Sequence, residues 1–294
     1  MGFDKLDHKK KDKKKAVVLF SGGLDSTTVL KIAMDEGYDV LPVTFFYGQR
    51  HAIEIEHAKK IAAFFNLKNH IIIALDFSQI KGSALVDYSI SVPKNMTKKT
   101  KGVLKYAFIN NLKNGNKINP LPADEYGHDD YDDIANPSND LNAMSINNKH
   151  DKNKEFNDIP VTYVPARNTI FLSYALAVCE VNKTGDIFIG VNWVDYSGYP
   201  DCRPEYIKAF ENTANLATKI SVTGEIKFKI HTPLIKMSKK NIIISANKIG
   251  VPLELTHSCY DPAGDLACGA CDSCILRKKG FLKAGIKDPA QYAK

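Results

Sequence analysis

Residues 16–27 read Ala-Val-Val-Leu-Phe-Ser-Gly-Gly-Leu-Asp-Ser-Thr. The apolar run Ala16–Phe20 has the length and composition of a buried strand. It breaks at Ser21-Gly22-Gly23, and a helix-compatible stretch follows from Thr27 to Glu36, closed by Gly37. A strand that feeds a short glycine loop and then a helix offers backbone N–H groups to an anion at the helix N-terminus. Two glycines let the backbone come close to such a ligand. The segment therefore reads as a phosphate cradle. No lysine follows the glycines, so it is not the Gly-x-x-x-x-Gly-Lys loop, and it is not Gly-x-Gly-x-x-Gly. The bland alternative is a tight turn in which Asp25 caps the helix.

Further along, strand-like and helix-like segments alternate. Val40–Phe46 and Ile71–Leu75 read as strands. Between them, Ile53–Phe65 places Ile53, Ala58, Ile61, Ala62 and Phe65 on one helical face. After an extended stretch from Ile159, a helix is expected over Thr169–Val181 and a strand over Asp186–Val191. A helix over Pro204–Ile220, a strand over Glu225–Ile230 and a helix over Ser238–Ile249 follow, the last capped by Ser238 and stopped by Gly250. Alternation of this kind predicts an α/β fold, a doubly wound and mainly parallel sheet with helices on both faces. Residues 110–158 interrupt it. These 49 residues hold 12 Asn and 8 Asp and too little apolar surface to offset ordering entropy, so a disordered insertion is expected there. The domain reading is a lysine-rich tail over 1–15, an α/β body over 16–250 carrying the insertion, and a C-terminal metal-binding subdomain of helix and loop over 251–294.

The chain of 294 residues carries a net charge of +7. Residues 1–15 alone hold seven Lys against three Asp, a net +4, which leaves +3 for the rest. The charge is thus a local tail, read as a solubilising arm, and no nucleic-acid partner is inferred from it. No apolar run approaches the ~20 residues of a membrane span, and the polar N-terminus lacks the apolar core of a signal peptide. A cytoplasmic location without a membrane partner is the expectation.

Four of the six cysteines crowd together as Cys259-x8-Cys268-x2-Cys271-x2-Cys274. Without an export signal such a cluster reads as metal-binding rather than disulfide-forming. Four thiolates suit a closed, structural tetrahedral zinc site. An iron–sulfur cluster, which shares the Cys-x-x-Cys-x-x-Cys run, and redox Cys-x-x-Cys chemistry are the competing readings. Cys179 lies in an apolar helix and reads as core; Cys202 has polar neighbours.

Ser21-Gly-Gly-Leu-Asp25-Ser26 resembles the pyrophosphate-binding loop of the N-type ATP pyrophosphatases, which cleave ATP between the α and β phosphates. Three further segments stand in order behind it: Tyr47-Gly-Gln-Arg50-His51, Val164-Pro-Ala-Arg167-Asn168 and Asp195-Tyr-Ser-Gly-Tyr199-Pro-Asp201-Cys-Arg203. Ser258-Cys-Tyr and Cys268-Gly-x-Cys-Asp-Ser-Cys274-x-x-Arg277 close the series. The set resembles the 7-cyano-7-deazaguanine synthase family of queuosine biosynthesis over residues 16–93 and 159–285. The lysine tail and the Asn/Asp-rich stretch depart from the pattern.

The resemblance implies an adenine nucleotide alpha hydrolase-like fold and an ATP-dependent ligase. 7-carboxy-7-deazaguanine is adenylated, ammonia displaces AMP to give an amide, and a second ATP drives loss of water to the nitrile. It implies that Phe20, Ser21, Gly22, Gly23, Leu24, Asp25, Ser26 and Thr27 bind ATP, with Asp25 serving loop geometry or Mg²⁺. Structural zinc on Cys259, Cys268, Cys271 and Cys274 and a homodimer are implied as well. Arg50, His51 and Arg167 fit as cations that stabilise developing negative charge, with surface ion pairing as the plain alternative. Asp195 and Asp201 fit the hydrogen-bonding edge of a guanine-like base, Tyr199 fits stacking or packing, and Arg203 fits a forked grip on a carboxylate. The same segment also reads as an ordinary turn. Two rivals are a tRNA-modifying, thiolase-like enzyme on the same scaffold and a non-enzymatic nucleotide-binding module.

Overall fold

The strand at the centre of the fold is β1 (Lys15–Leu19), buried along all but its first residue. In this computed structural model, residues 13–49, 53–95, 159–193 and 199–293 are described. Five strands form one sheet in the order β3-β2-β1-β4-β5, with β2 (Asp39–Phe46), β3 (Ile71–Ala74), β4 (Asp186–Phe188) and β5 (Lys229–His231). Every pairing is parallel; Ala16 faces Val40 on one side and Asp186 on the other. Successive side chains of β1 point to opposite faces, and the two cores follow that alternation. Ala16, Val18 and Phe20 pack with α1 (Leu24–Asp35), α2 (Ile53–Phe64), α6 (Lys239–Lys248) and α7 (Asp272–Ala284). Val17 and Leu19 pack with α3 (Arg167–Val181) and α4 (Pro204–Ala217). A parallel sheet covered on both faces is the doubly wound arrangement expected from the alternation.

Several boundaries differ from the sequence reading, each for a local reason. α1 begins at Leu24 rather than Thr27, because Gly23 takes the N-cap and Thr27 N–H already bonds to the Gly23 carbonyl. β4 stops at Phe188, and the chain then closes on the loop after β1. There a Cβ on Gly190 would stand 3.1 Å from Ser26 N. β5 starts only at Lys229, since the Asn215 side chain takes up the Phe228 backbone N–H and C=O. The helix expected over Pro204–Ile220 breaks at Thr218, which is extended, and resumes as the short α5 (Lys219–Val222). Ser238 caps α6 through the Asn241 N–H. Cys179 is fully buried core, and burial raises its thiol pKa.

Residues 13–94 and 159–293 form one compact unit, so the cysteine-bearing segment belongs to the same body as the sheet. The Asn/Asp-rich stretch 110–158 and residues 1–12 of the lysine-rich tail lie outside the described residues. Among the described residues no helix is long and apolar enough to cross a membrane.

One carboxylate ties the starts of β1 and β4 to the last residue of β5. Asp186 accepts from Lys14 Nζ and from His231 Nε2, both at 2.7 Å, and from Tyr38 Oη at 3.3 Å. Burial pushes the Asp186 carboxyl up, but the bonds from His231 and Lys14 outweigh it and hold the pKa below the ordinary value. A depressed folded-state pKa contributes stability above the unfolded value, roughly pH 4, and loses it as pH falls through the folded value. Asp186→Asn should therefore lower stability by about 1–3 kcal/mol at neutral pH and flatten the acid limb of the stability curve. Urea midpoints at neutral pH and about pH 3 measure both. An unchanged acid limb would count against this role.

Candidate active site

The sheet reverses its winding between β1 and β4, the place where open α/β sheets bind ligands. A cavity of about 270 Å³ opens there at the C-terminal ends of the strands. One wall is the loop after β1. Phe20, Ser21, Gly23, Leu24, Asp25 and Ser26 line the cavity. Ser21 N–H donates to Ser26 Oγ and the two hydroxyls are 3.1 Å apart, while Ser26 Oγ donates to the Gly23 carbonyl. The first amides of α1 precede any helical acceptor and are outside the helical ladder by construction. Gly23 caps the helix without a side-chain acceptor, so the end of the helix dipole that attracts anions faces the cavity.

Two residues of the expected ATP loop face elsewhere. Thr27 is buried and its hydroxyl turns back to the Gly23 carbonyl at 2.7 Å. Gly22 backs onto α2: its φ is +77°, and a Cβ there would stand 2.5 Å from Ala58 N and 2.9 Å from the Glu54 carbonyl. Both shape the loop rather than line it. Asp25 is not a helix cap. Its carboxylate is gripped by Lys239 Nζ, at 2.9 and 2.8 Å to its two oxygens. Lys239 is only 11% exposed and also lines the cavity. The cation absent from the loop's own sequence thus arrives from the first turn of α6. Asn192, beyond β4, holds the segment that leads into α6 by donating to the Leu234 and Met237 carbonyls.

Tyr47, Gln49, Glu54, Arg167, Phe171 and Tyr199 line the cavity as well. Arg167 opens α3 behind Ala166, which is left-handed at φ 54°. Its guanidinium reaches Tyr47 Oη at 3.4 Å, and although burial works against its charge, Tyr47, Asp201 and Tyr199 more than compensate. Glu54, in the first turn of α2, has its pKa raised to about 7 by burial, with the Arg167 charge acting against the shift. Tyr199 Oη lies 2.8 Å from Thr162 Oγ1. Asp201 and Arg203 do not line the cavity. The Asp201 carboxylate accepts the Asn168 N–H at the start of α3, and Arg203 Nε donates to the Pro200 carbonyl. Arg50, His51 and Asp195 lie outside the described residues.

The four clustered cysteines converge. Their sulfurs all lie within 4.8 Å of one another; ligands on a tetrahedral zinc would be about 3.8 Å apart. Backbone amides support them: Asp261 and Cys268 N–H donate to Cys259 Sγ, Cys271 N–H to Cys268 Sγ and Tyr260 N–H to Cys271 Sγ. Hydrogen bonds from the Cys259 and Cys274 thiols hold Cys271 far below an ordinary thiol pKa, whereas the same crowding drives Cys274 up. Such a donor set fits a metal ion that would let all four ionise.

One short segment ties this cluster to the loop. His257 N–H donates to the Gly22 carbonyl at 3.1 Å, two residues before Cys259. The His257 ring stacks on His57 of α2 at 4.9 Å, and His57 Nδ1 donates to the Leu255 carbonyl. Arg277 of α7 closes the frame. It donates to Thr256 Oγ1 at 2.8 Å, to the Leu253 carbonyl at 3.1 Å and to both oxygens of Asp288.

Sequence reasoning missed Lys239, Glu54, Gln49 and His257 at the cavity. A lysine in the first turn of a helix opposes the helix dipole, and that was the available signal for Lys239. An acid in the first turn of α2 is ordinary helix chemistry, and Glu54 gave no signal.

Residues 15–114 and 132–285 match the family described as queuosine biosynthesis protein QueC, a range that holds both the loop and the cysteine cluster. A 7-cyano-7-deazaguanine synthase of Syntrophobacter fumaroxidans is 45% identical over 283 residues, 96% of this chain and 97% of that one. Another from Syntrophus aciditrophicus is 48% identical over 279 residues, 95% and 97% of the two chains. A third, from Geobacter metallireducens, is 46% identical over 281 residues. The chain belongs to the QueC family, whose curated relatives carry the name 7-cyano-7-deazaguanine synthase.

The Arg277 frame is testable without any ligand. Arg277→Met takes the cation from the Asp288 carboxylate, which is only 12% exposed and keeps only the Ala290 N–H and Tyr292 hydroxyl, so the loss should be roughly 3 kcal/mol. Urea unfolding measures it, and a shift below about 1 kcal/mol, the range of a surface pair, would refute the frame.

Proposed function

We propose that this chain is an ATP-dependent ligase that converts 7-carboxy-7-deazaguanine and ammonia to 7-cyano-7-deazaguanine. The observation that carries the reading is that the anion-directed loop opens onto the same cavity as Arg167 and Tyr199, at the switch point of the sheet. Adenylation turns a carboxylate oxygen into a good leaving group and releases pyrophosphate. The amides at the start of α1, with Ser21, Gly23, Leu24 and Ser26, hold the phosphates, while Gly22 and Thr27 keep the loop in shape and Phe20 closes the wall. Asp25 and Lys239 together set the charge beside the phosphates, with Mg²⁺ accompanying ATP. Arg167 stabilises the negative charge that develops at the reacting carbon's oxygen. Arg50 and His51 share that task in this proposal, and Asp195 takes part in base recognition with Tyr199. Asp201 and Arg203 act from behind by fixing the start of α3 and the turn after Tyr199. Zinc held by Cys259, Cys268, Cys271 and Cys274 is structural. The enzyme works on small molecules, as a homodimer in the cytoplasm.

A thiolase-like reaction is disfavoured by the thiol nearest the chemistry. Cys202 lines the cavity, but burial first, and Asp201 next, push its pKa up to about 12. A thiol held in that form is a poor nucleophile.

Incubation with ATP, ammonia and 7-carboxy-7-deazaguanine should yield AMP, pyrophosphate and the nitrile by mass analysis. Absence of nitrile from folded, zinc-loaded protein would overturn the reading. Elemental analysis of the colourless protein should find zinc and no iron. Chelation should unfold the C-terminal part, since such sites contribute roughly 10–16 kcal/mol in peptide models; full far-UV signal in stripped protein would argue against a structural zinc.

A further inference from the structure

The proposed reaction releases a proton that the groups discussed so far do not accept. Ammonia attacks the acyl-adenylate carbon, and the adduct carries N–H₃⁺ beside an oxyanion. Unless nitrogen loses a proton, the adduct reverts by expelling ammonia. When a base takes the proton, the new C–N bond persists, the C–O bond to AMP breaks, and its electron pair leaves with the phosphate. The products are the amide, AMP and a proton on the base.

We propose that Glu54 is this proton acceptor. The inference rests on the ligase reading and names one more catalytic residue within it. Among the described residues only two carboxylates line the cavity, Asp25 and Glu54. Asp25 has both oxygens engaged by the Lys239 ammonium. Glu54 lines the cavity from the first turn of α2, and its backbone abuts the loop after β1 at Gly22. The groups acting on it are Arg167 from α3 and, from the segment after β2, Tyr47, whose hydroxyl takes the Arg167 bond. His257, Lys239 and Asp25 occupy the remaining walls; Arg50 and His51 precede Glu54 in the chain, outside the described residues.

This arrangement puts a base beside the cation that steadies the oxyanion, which are the two charges the adduct needs. Burial raises the Glu54 pKa to about 7, despite Arg167. An ordinary carboxylate is too weak a base for the task, whereas one tuned near the working pH is ionised enough to accept and basic enough to be effective. The first half-reaction, carboxylate plus ATP to acyl-adenylate plus pyrophosphate, needs no proton acceptor. The two halves should therefore part company when Glu54 is changed.

The test uses the full-length, zinc-loaded protein and its Glu54→Gln and Glu54→Asp variants, with folding checked by thermal melting. Exchange of labelled pyrophosphate into ATP, dependent on 7-carboxy-7-deazaguanine, reads the first half. Amide plus nitrile, by mass, reads the second. In Glu54→Gln, exchange should stay within about threefold of the parent and amide plus nitrile should fall roughly 10²–10⁴-fold. Amide formation by the parent, divided by free ammonia, should rise through an ionisation near pH 7; Glu54→Gln should lack that limb and Glu54→Asp should move it. A proportional fall in exchange and amide would overturn the proposal and make Glu54 a group that merely positions Arg167. Amide formation at the parent rate would overturn it too. If Glu54→Gln does not fold, an unmoved limb in Glu54→Asp does so alone. Failure of exchange in the parent protein would instead refute the ligase reading, and this proposal with it.

Discussion

The loop after β1 depends on one close approach. Gly22 sits at φ +77° with no room for a Cβ against the backbone of α2 at Glu54 and Ala58. A side chain there would have to push α2 away, and α2 carries Glu54 on one turn and His57 on the next. The Gly22 carbonyl then accepts the His257 N–H, so the loop is clamped from two directions before any ligand arrives. Preorganised donors of this kind need not reorganise as charge develops.

That clamp ties the C-terminal segment to the wall of the cavity. The chain from Leu253 to Cys259 passes Arg277, His57 and Gly22 in turn, and ends at the first of the clustered sulfurs. A metal on those sulfurs would stiffen the same strip of backbone that holds Gly22. The cysteine cluster is far from the loop in sequence, but only one residue separates the donor of the Gly22 bond from Cys259. The cysteine cluster and the loop after β1 are thus joined by a few main-chain hydrogen bonds.

The sequence made the doubly wound sheet legible because its central strands β1 and β4 are buried on both faces and its helices alternate with the strands. The convergence of the cysteines was legible for a different reason: Cys-x-x-Cys spacing aims sulfurs at one point locally. What escaped were contacts with no local signature. Lys239 meets Asp25 across 214 positions, and only its unfavourable place at a helix N-terminus hinted at a partner. Asp201 fitted a base-reading carboxylate by its place in the resembling segment, and its carboxylate supports the start of α3 through the Asn168 N–H. A motif can identify a segment as belonging to the site without showing which side chain faces inward. β5 was shortened by a side chain, Asn215, occupying the ladder positions of Phe228.

On the proposed reaction one cavity must adenylate twice, first a carboxylate oxygen and then the oxygen of the amide made from it. Both oxygens hang from the same carbon, so the acceptor has no need to move between the steps; the nucleotide does. AMP must leave and a second ATP enter while the amide stays. The walls are divided to suit this. The phosphate side is built from the loop and the start of α1, closed by Lys239 on Asp25, whereas Arg167, Tyr199 and Phe171 come from α3 and the turn before α4. The two sides rest on different elements and different cores. Exchange of nucleotide on one side therefore need not disturb what holds the acceptor on the other, and the same loop can serve both adenylations.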